Sequence, residues 1–137
     1  MAYRQIFSVF MEVLQSVNKR SVGDFYENIA CRFIYANGGT VIERNYRPRR
    51  GEIDIIARDG DYLCFIEVKY RNTERFGAPE RAVNISKQKQ ICRISKLFLY
   101  SRYKSMDIPI RYDVIAISGV QNAVTVKWLK NAFEYIA

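Results

Sequence analysis

Arg50-Gly51-Glu52-Ile53-Asp54-Ile55-Ile56-Ala57-Arg58-Asp59-Gly60-Asp61-Tyr62-Leu63-Cys64-Phe65-Ile66-Glu67-Val68-Lys69 reads as two β-strands joined by a tight turn. Asp-Gly between runs rich in Ile, Val and Phe is a strong hairpin signal. Side chains alternate faces along a strand with a period of two. Ile53, Ile55, Ala57, Cys64, Ile66 and Val68 therefore share an apolar face, expected to be the core face. Glu52, Asp54, Ile56 and Arg58 share the other with Leu63, Phe65, Glu67 and Lys69. With Asp59-Gly60 as the loop, Asp54 and Glu67 are diagonal neighbours about 7–8 Å apart. With Gly60-Asp61 they are directly opposite, and a three-residue loop needs a bulge to keep the apolar face intact. Each register gathers Glu52, Asp54, Glu67 and Lys69 at one end of one face.

Such a gathering is costly on its own. Like charges paired across strands repel, and carboxylates flanked by Ile, Phe and Val are hard to keep ionised. A divalent cation removes both problems, because hard cations take carboxylate oxygens. Lys69, two residues after Glu67, lies on the same face, placed to orient an attacking water or to stabilise developing negative charge. The plainer alternative is a solvated face with a structural ion pair.

Composition narrows the chemistry. The 137 residues suit one domain with a real core, and no apolar run approaches the ~18 residues of a membrane span. There is no histidine, which excludes a His-based zinc site, a Ser-His triad and a histidine base. Hydrolysis would have to use carboxylates, lysine and metal. Cys31, Cys64 and Cys92 lie far apart in apolar patterns, as reduced core residues of a cytoplasmic protein would. The net charge is +8; residues 44–104 hold 15 Lys and Arg against 7 Asp and Glu, and the rest holds 7 against 7. The whole surplus thus surrounds the acidic strands, as a polyanion substrate would require.

Upstream, Tyr3, Ile6, Phe7, Phe10, Val13, Leu14 and Val17 recur at helical spacing and predict an amphipathic helix within residues 1–20. It would either pack on its own domain or pair two chains as a homodimer. Residues 21–137 form the main domain. Ser21 is expected to cap a helix that buries Val22, Phe25, Tyr26, Ile29, Ala30, Phe33 and Ile34 and ends at Asn37-Gly38-Gly39. Thr40–Tyr46 reads as a strand, followed by Arg47-Pro48-Arg49-Arg50-Gly51. With Arg44 this loop is a phosphate clamp by composition, because guanidinium forks match phosphate oxygens.

Downstream, Arg71 opens a polar loop to Ala78, and Pro79 suits a short helix through Val83. Ser86 is expected to cap a longer helix reaching Tyr103, with Lys87, Lys89, Arg93 and Lys96 as a basic flank. Residues 111–117 and 124–129 are strands with a turn over 118–122 between them, and 131–135 is expected to be a short helical tail. Tyr112 and Trp128 could stack on bases, although aromatic strand residues are more often core. The order of elements predicts an α/β fold, a mixed sheet with helices on its faces.

Gly51-Glu52-Ile53-Asp54-Ile55-Ile56-Ala57 with Phe65-Ile66-Glu67-Val68-Lys69-Tyr70-Arg71 resembles the signature of the YraN-like family. The match continues through Phe76-Gly77, Ala82-Val83, Lys87-Gln88 and Arg111-Tyr112-Asp113-Val114 and covers about residues 22 to 133. These small bacterial proteins are assigned to the PD-(D/E)XK nuclease superfamily and are similar to archaeal Holliday-junction resolvases. The resemblance implies a restriction-endonuclease-like mixed β-sheet flanked by helices. It also implies a metal-dependent endonuclease for branched or irregular nucleic acid, DNA ahead of RNA, or else a nucleic-acid-binding module that cuts little. Asp54, Glu67 and the Val68 carbonyl would hold Mg²⁺ or Mn²⁺, with Glu52 and Glu27 balancing the charge or holding a second ion. Lys69 would position the attacking water, and Gln88 would support the site. Arg44, Arg47, Arg49, Arg50, Arg71, Lys87 and Lys89 would contact the nucleic acid.

Overall fold

The computed structural model describes residues 2–8, 19–71, 83–105, 107–120 and 123–137. Its elements run β1 (Ala2–Ser8), α1 (Lys19–Ala36), β2 (Thr40–Tyr46), β3 (Ile53–Asp59), β4 (Tyr62–Arg71), α2 (Ile85–Tyr103), β5 (Ile110–Val120) and β6 (Ala123–Phe133). The strands form one six-stranded sheet in the order β1-β6-β5-β4-β3-β2. Only β4 and β5 pair in parallel. That pairing needs a crossover, and α2 supplies it. The result is the expected mixed α/β sheet flanked by helices, of restriction-endonuclease-like architecture.

The β3–β4 hairpin closes through Gly60-Asp61, with Asp59 opposite Tyr62 and Ile55 opposite Ile66. Gly60 supplies the positive φ of 61° at the first central position that a type II′ turn requires. The second of the two-residue registers is therefore the one adopted. Both faces of the hairpin are core, which corrects the expectation of a single core face. Ile55, Ala57, Cys64 and Ile66 pack with Phe33, Ile34 and Tyr26 of α1. Ile56, Leu63, Phe65 and Ile53 pack with Ile91, Ile94 and Phe98 of α2. Each helix covers one side of the sheet, so the central strands are apolar on both sides.

α1 starts at Lys19, so Ser21 lies inside the helix and does not cap it. Its end is as expected. Gly39 N–H reaches Ile34 O (2.9 Å) and Gly38 N–H reaches Tyr35 O (3.2 Å), a Schellman closure. At α2 the cap is Asn84, whose Oδ1 accepts the Lys87 N–H at 2.8 Å. Ser86, two residues later, is already helical. Both residue types cap well, and the extended backbone at Asn84 decides between them.

Three further expectations change. Residues Ala2–Ser8 form a strand paired antiparallel with β6, and not the start of a helix; residues 9–18 lie outside the described residues. The apolar spacing there fits both periods, and the open edge of β6 selects the strand. β5 runs on to Val120 and pairs it with Ala123, so residues 118–120 are ladder and not turn. The 131–135 segment is not helical, because β6 continues to Phe133. Asp113 holds it. Fully buried, it accepts the Asn131 N–H (2.8 Å), Trp128 Nε1 (2.9 Å) and Arg111 Nη2 (2.8 Å), so its charge is paired and its oxygens satisfied. The β5–β6 register shifts between Tyr112 and Val114, beside that cluster. Tyr112 and Trp128 are themselves buried core residues. The short helix expected from Pro79 falls outside the described residues, apart from Val83, which is buried and not helical. All three cysteines are free and buried, and no helix among the described residues is long and apolar enough to cross a membrane.

Candidate active site

The β3–β4 ladder ends at Ile55–Ile66, and beyond it the two strands carry Asp54 and Glu67. Asp54 Oδ2 accepts the Val68 N–H at 2.8 Å. A strand residue directs its N–H and C=O to the same edge, so the Val68 carbonyl also faces the Asp54 side. Both acids are nearly withdrawn from water, Asp54 at 9% and Glu67 at 4% exposure. Lys69 Nζ lies 3.6 Å from Glu67 Oε2 and remains half-buried. From α2, Lys87 Nζ approaches the same oxygen at 3.9 Å and also donates to Gln90 Oε1 at 3.1 Å. From α1, Glu27 faces the site closely enough for the Asp54 charge to act on it.

The two lysines offset the acids only in part. Burial, then the Asp54 charge and the hydrogen bond to Asp54, push the Glu67 carboxyl up to about 8, against the opposing pull of Lys87 and Lys69. Glu27 is also raised, first by burial and then by Asp54, while Asn45 and Arg44 draw it down. Its Oε1 is buried without a hydrogen-bond partner and lies 3.7 Å from Arg44 Nη2, beyond hydrogen-bond reach. Clustered carboxyls raised by burial and by one another's charge are what a hard, oxygen-seeking cation would offset. The donors are all hard oxygens, which suits Mg²⁺ or Mn²⁺. Among the described residues no three Asp, Glu or Cys side chains are drawn together tightly enough to enclose an ion. The fitting set is thus two carboxylates and a backbone carbonyl, with Glu27 outside them.

The other expected residues divide. Glu52 accepts from Arg47 Nε and lines a cleft of about 430 Å³ with Gly23, Asp24, Glu27, Asn45 and Arg47. It sits beside the acid pair and not within it. Arg44 donates to Asn28 Oδ1 at 2.7 Å and faces Glu27 at 3.7 Å, and Arg47 pairs with Glu52; both remain exposed. Lys87 is likewise drawn to Glu67. Arg49, Arg50, Arg71 and Lys89 are exposed. Gln88 is buried and donates to Val83 O at 2.9 Å, a bond that ties the start of α2 to the chain entering it. The sequence reading missed Asn45. Its φ of 52° lets its side chain bond Glu27; asparagine before the Tyr-Arg-Pro turn was the available signal, since Asn tolerates left-handed backbone.

Fold and site together define a small α/β protein of restriction-endonuclease-like architecture, with an acid pair and a lysine where two central strands part. The model of uncharacterised protein family UPF0102 matches residues 26–117, and the chain belongs to that family. It is similar to a UPF0102 protein of Legionella pneumophila (strain Corby), 40% identical over 113 residues covering 82% of this chain and 93% of that one. A UPF0102 protein of Desulforapulum autotrophicum is 38% identical over 116 residues, covering 85% and 95%. One from Acetivibrio thermocellus is 43% identical over 101 residues, covering 73% and 77%.

Proposed function

We propose that this protein is a cytoplasmic, metal-dependent endonuclease that hydrolyses phosphodiester bonds in nucleic acid, DNA with a branch or other irregularity ahead of RNA. The reading places it, with the YraN-like proteins, in the PD-(D/E)XK nuclease superfamily, similar to archaeal Holliday-junction resolvases. One observation carries it. Asp54 and Glu67 are buried side by side at the end of two paired strands, and Lys69 is the nearby cation on the same strand as Glu67. A buried acid pair of this kind destabilises a fold unless it serves a site.

Asp54, Glu67 and the Val68 carbonyl would hold Mg²⁺ or Mn²⁺, which supplies Lewis-acid polarisation of the phosphoryl oxygen and a more acidic water. The chain does the rest. Asp54 spans from β3 to the Val68 amide and so fixes the separation of the two strands. Lys69 has three donors and no acceptor. It can hold the attacking water in line and meet negative charge as it develops on the phosphoryl oxygens. Glu27 and Lys87 set the charge around the pair from the two helices.

The test is incubation of wild type and Lys69→Ala with linear and four-way-junction DNA in Mn²⁺. The wild type is expected to cut, and the variant to lose about 10²–10³-fold in rate, with binding retained. Binding by both without any cut would make the protein a nucleic-acid-binding module instead. The exposed Arg49 and Arg50 give a second expectation. Each phosphate contact adds about 0.9 to the slope of log affinity against log salt on duplex DNA. Arg49→Ala/Arg50→Ala should therefore flatten the slope by about 1.8, and an unchanged slope would remove the loop from the interface.

A further inference from the structure

α2 carries a second charged feature that the acid site does not use. Its inner side buries Ile91, Ile94, Ser95, Phe98 and Leu99. Its outer side presents Lys89, Arg93 and Lys96, all exposed. Steps of four and three residues put these cations in one line along the helix, about 10.5 Å from first to last. Among the described residues none of the three has an acid within ion-pair distance. The line forms one wall of a groove of about 550 Å³ that Ser86, Gln90 and Tyr135 also line and Ile136 and Ala137 close.

The groove meets the loop that leads into β3 at one point. Along its flank Arg93 Nη2 donates to Arg50 O at 3.1 Å, which draws the loop bearing Arg49 and Arg50 against α2. Gly51 makes that approach possible. Its φ is +91°, and a Cβ there would lie 2.3 Å from the Gln90 side chain.

We infer that the Lys89–Arg93–Lys96 face of α2 is a backbone track for one nucleic-acid strand, joined to the acid site by way of the Arg49–Arg50 loop. This deepens the nuclease reading and rests on it. The span of the line matches about three nucleotides of axial rise along one strand. Lys89, Arg93 and Lys96 are exposed, so counterions released on binding come from this line as well as from the exposed arginines of the loop. Contacts of this kind follow phosphates and not bases, so the track is indifferent to sequence and selects for strand path.

The experiment uses the full chain and a 20-base-pair DNA duplex in EDTA, with anisotropy titrations from 50 to 200 mM salt. Lys89→Ala/Lys96→Ala leaves Arg93 in place to hold the Arg50 carbonyl. It is expected to lower the salt slope by about 1.8 with an unchanged melting temperature. Arg32→Gln/Lys127→Gln removes the same charge from other elements and is expected to leave the slope alone. Wild-type binding with a slope indifferent to Lys89 and Lys96 overturns the track, while Mn²⁺-dependent cutting would keep the nuclease reading intact. A wild type that neither binds nor cuts sinks both. Tighter binding of polyglutamate than of the duplex at equal salt, lost in the Lys89/Lys96 variant, assigns the groove to an acidic protein partner and also overturns the track.

Discussion

Asp54→Asn is expected to abolish metal-dependent cleavage and, in the same protein, to make the metal-free fold harder to unfold. The two effects have one cause. Asp54 raises both Glu67 and Glu27 by its charge, so it is a liability to the empty fold. Its structural service is to bond the Val68 N–H and the Glu67 carboxyl, and an asparagine carbonyl oxygen can still accept the first of these. The substitution therefore keeps the strand spacing and removes the repulsion. Relief of one pKa unit on Glu67 corresponds to about 1.4 kcal/mol, so a stabilisation on the order of 1 kcal/mol near pH 8 should appear in urea melts. The same change takes a charge from the cation site and should lower cleavage by about 10²–10³-fold or more. If Asp54 were only a structural acceptor, the variant would cut like wild type with an unaltered melt. Retained cleavage would end the proposed role.

Much of this was legible in the chain, and the reasons are local. The Asp-Gly turn between β-rich runs specified the hairpin, and both registers compatible with its alternation brought Asp54 beside Glu67. Strand β2, the glycine end of α1 and the full length of α2 followed from patterning in the same way. The second core face was also written there, since Ile56, Leu63 and Phe65 leave few polar residues for a solvated side. Reading alternation as one-sided burial overlooked what a central strand looks like.

What failed depended on partners distant in sequence. The first eight residues carry apolar side chains at spacings that serve helix or strand, and pairing with β6 is decided by an edge 120 residues downstream. The C-terminal strand continues past its own pattern because Asp113 captures the Asn131 amide. The arginine cluster suggests phosphate contacts by composition, and composition does not say which of its members also meet an acid. Folding puts Glu27 opposite Arg44 and Glu52 beside Arg47, which gives two of the four arginines acid partners while all four stay exposed. Spacing along the chain holds no information on which acid a long side chain will meet.

The stability of the metal-free protein should fall as pH rises from about 5 to 8.5, and divalent cation should reverse most of that loss. Glu67 sits at about 8 in the fold against an ordinary 4.5. Between those values the folded state holds a proton that the unfolded chain has released, so stability declines with rising pH. The contribution is fully present below pH 4.5 and is lost as pH passes through 8. Over that window the decline is on the order of 4 kcal/mol. Mg²⁺ or Mn²⁺ competes with the proton for the same oxygens, so its binding releases a proton and strengthens as pH rises. The melting-temperature increase with 10 mM Mg²⁺ should accordingly be small at pH 6 and largest above pH 8. Glu67→Gln should remove both the pH-dependent decline and the cation-induced rise. A cation-induced rise of equal size at pH 6 and pH 8.5 would mean that the ion binds somewhere other than the Glu67 carboxylate.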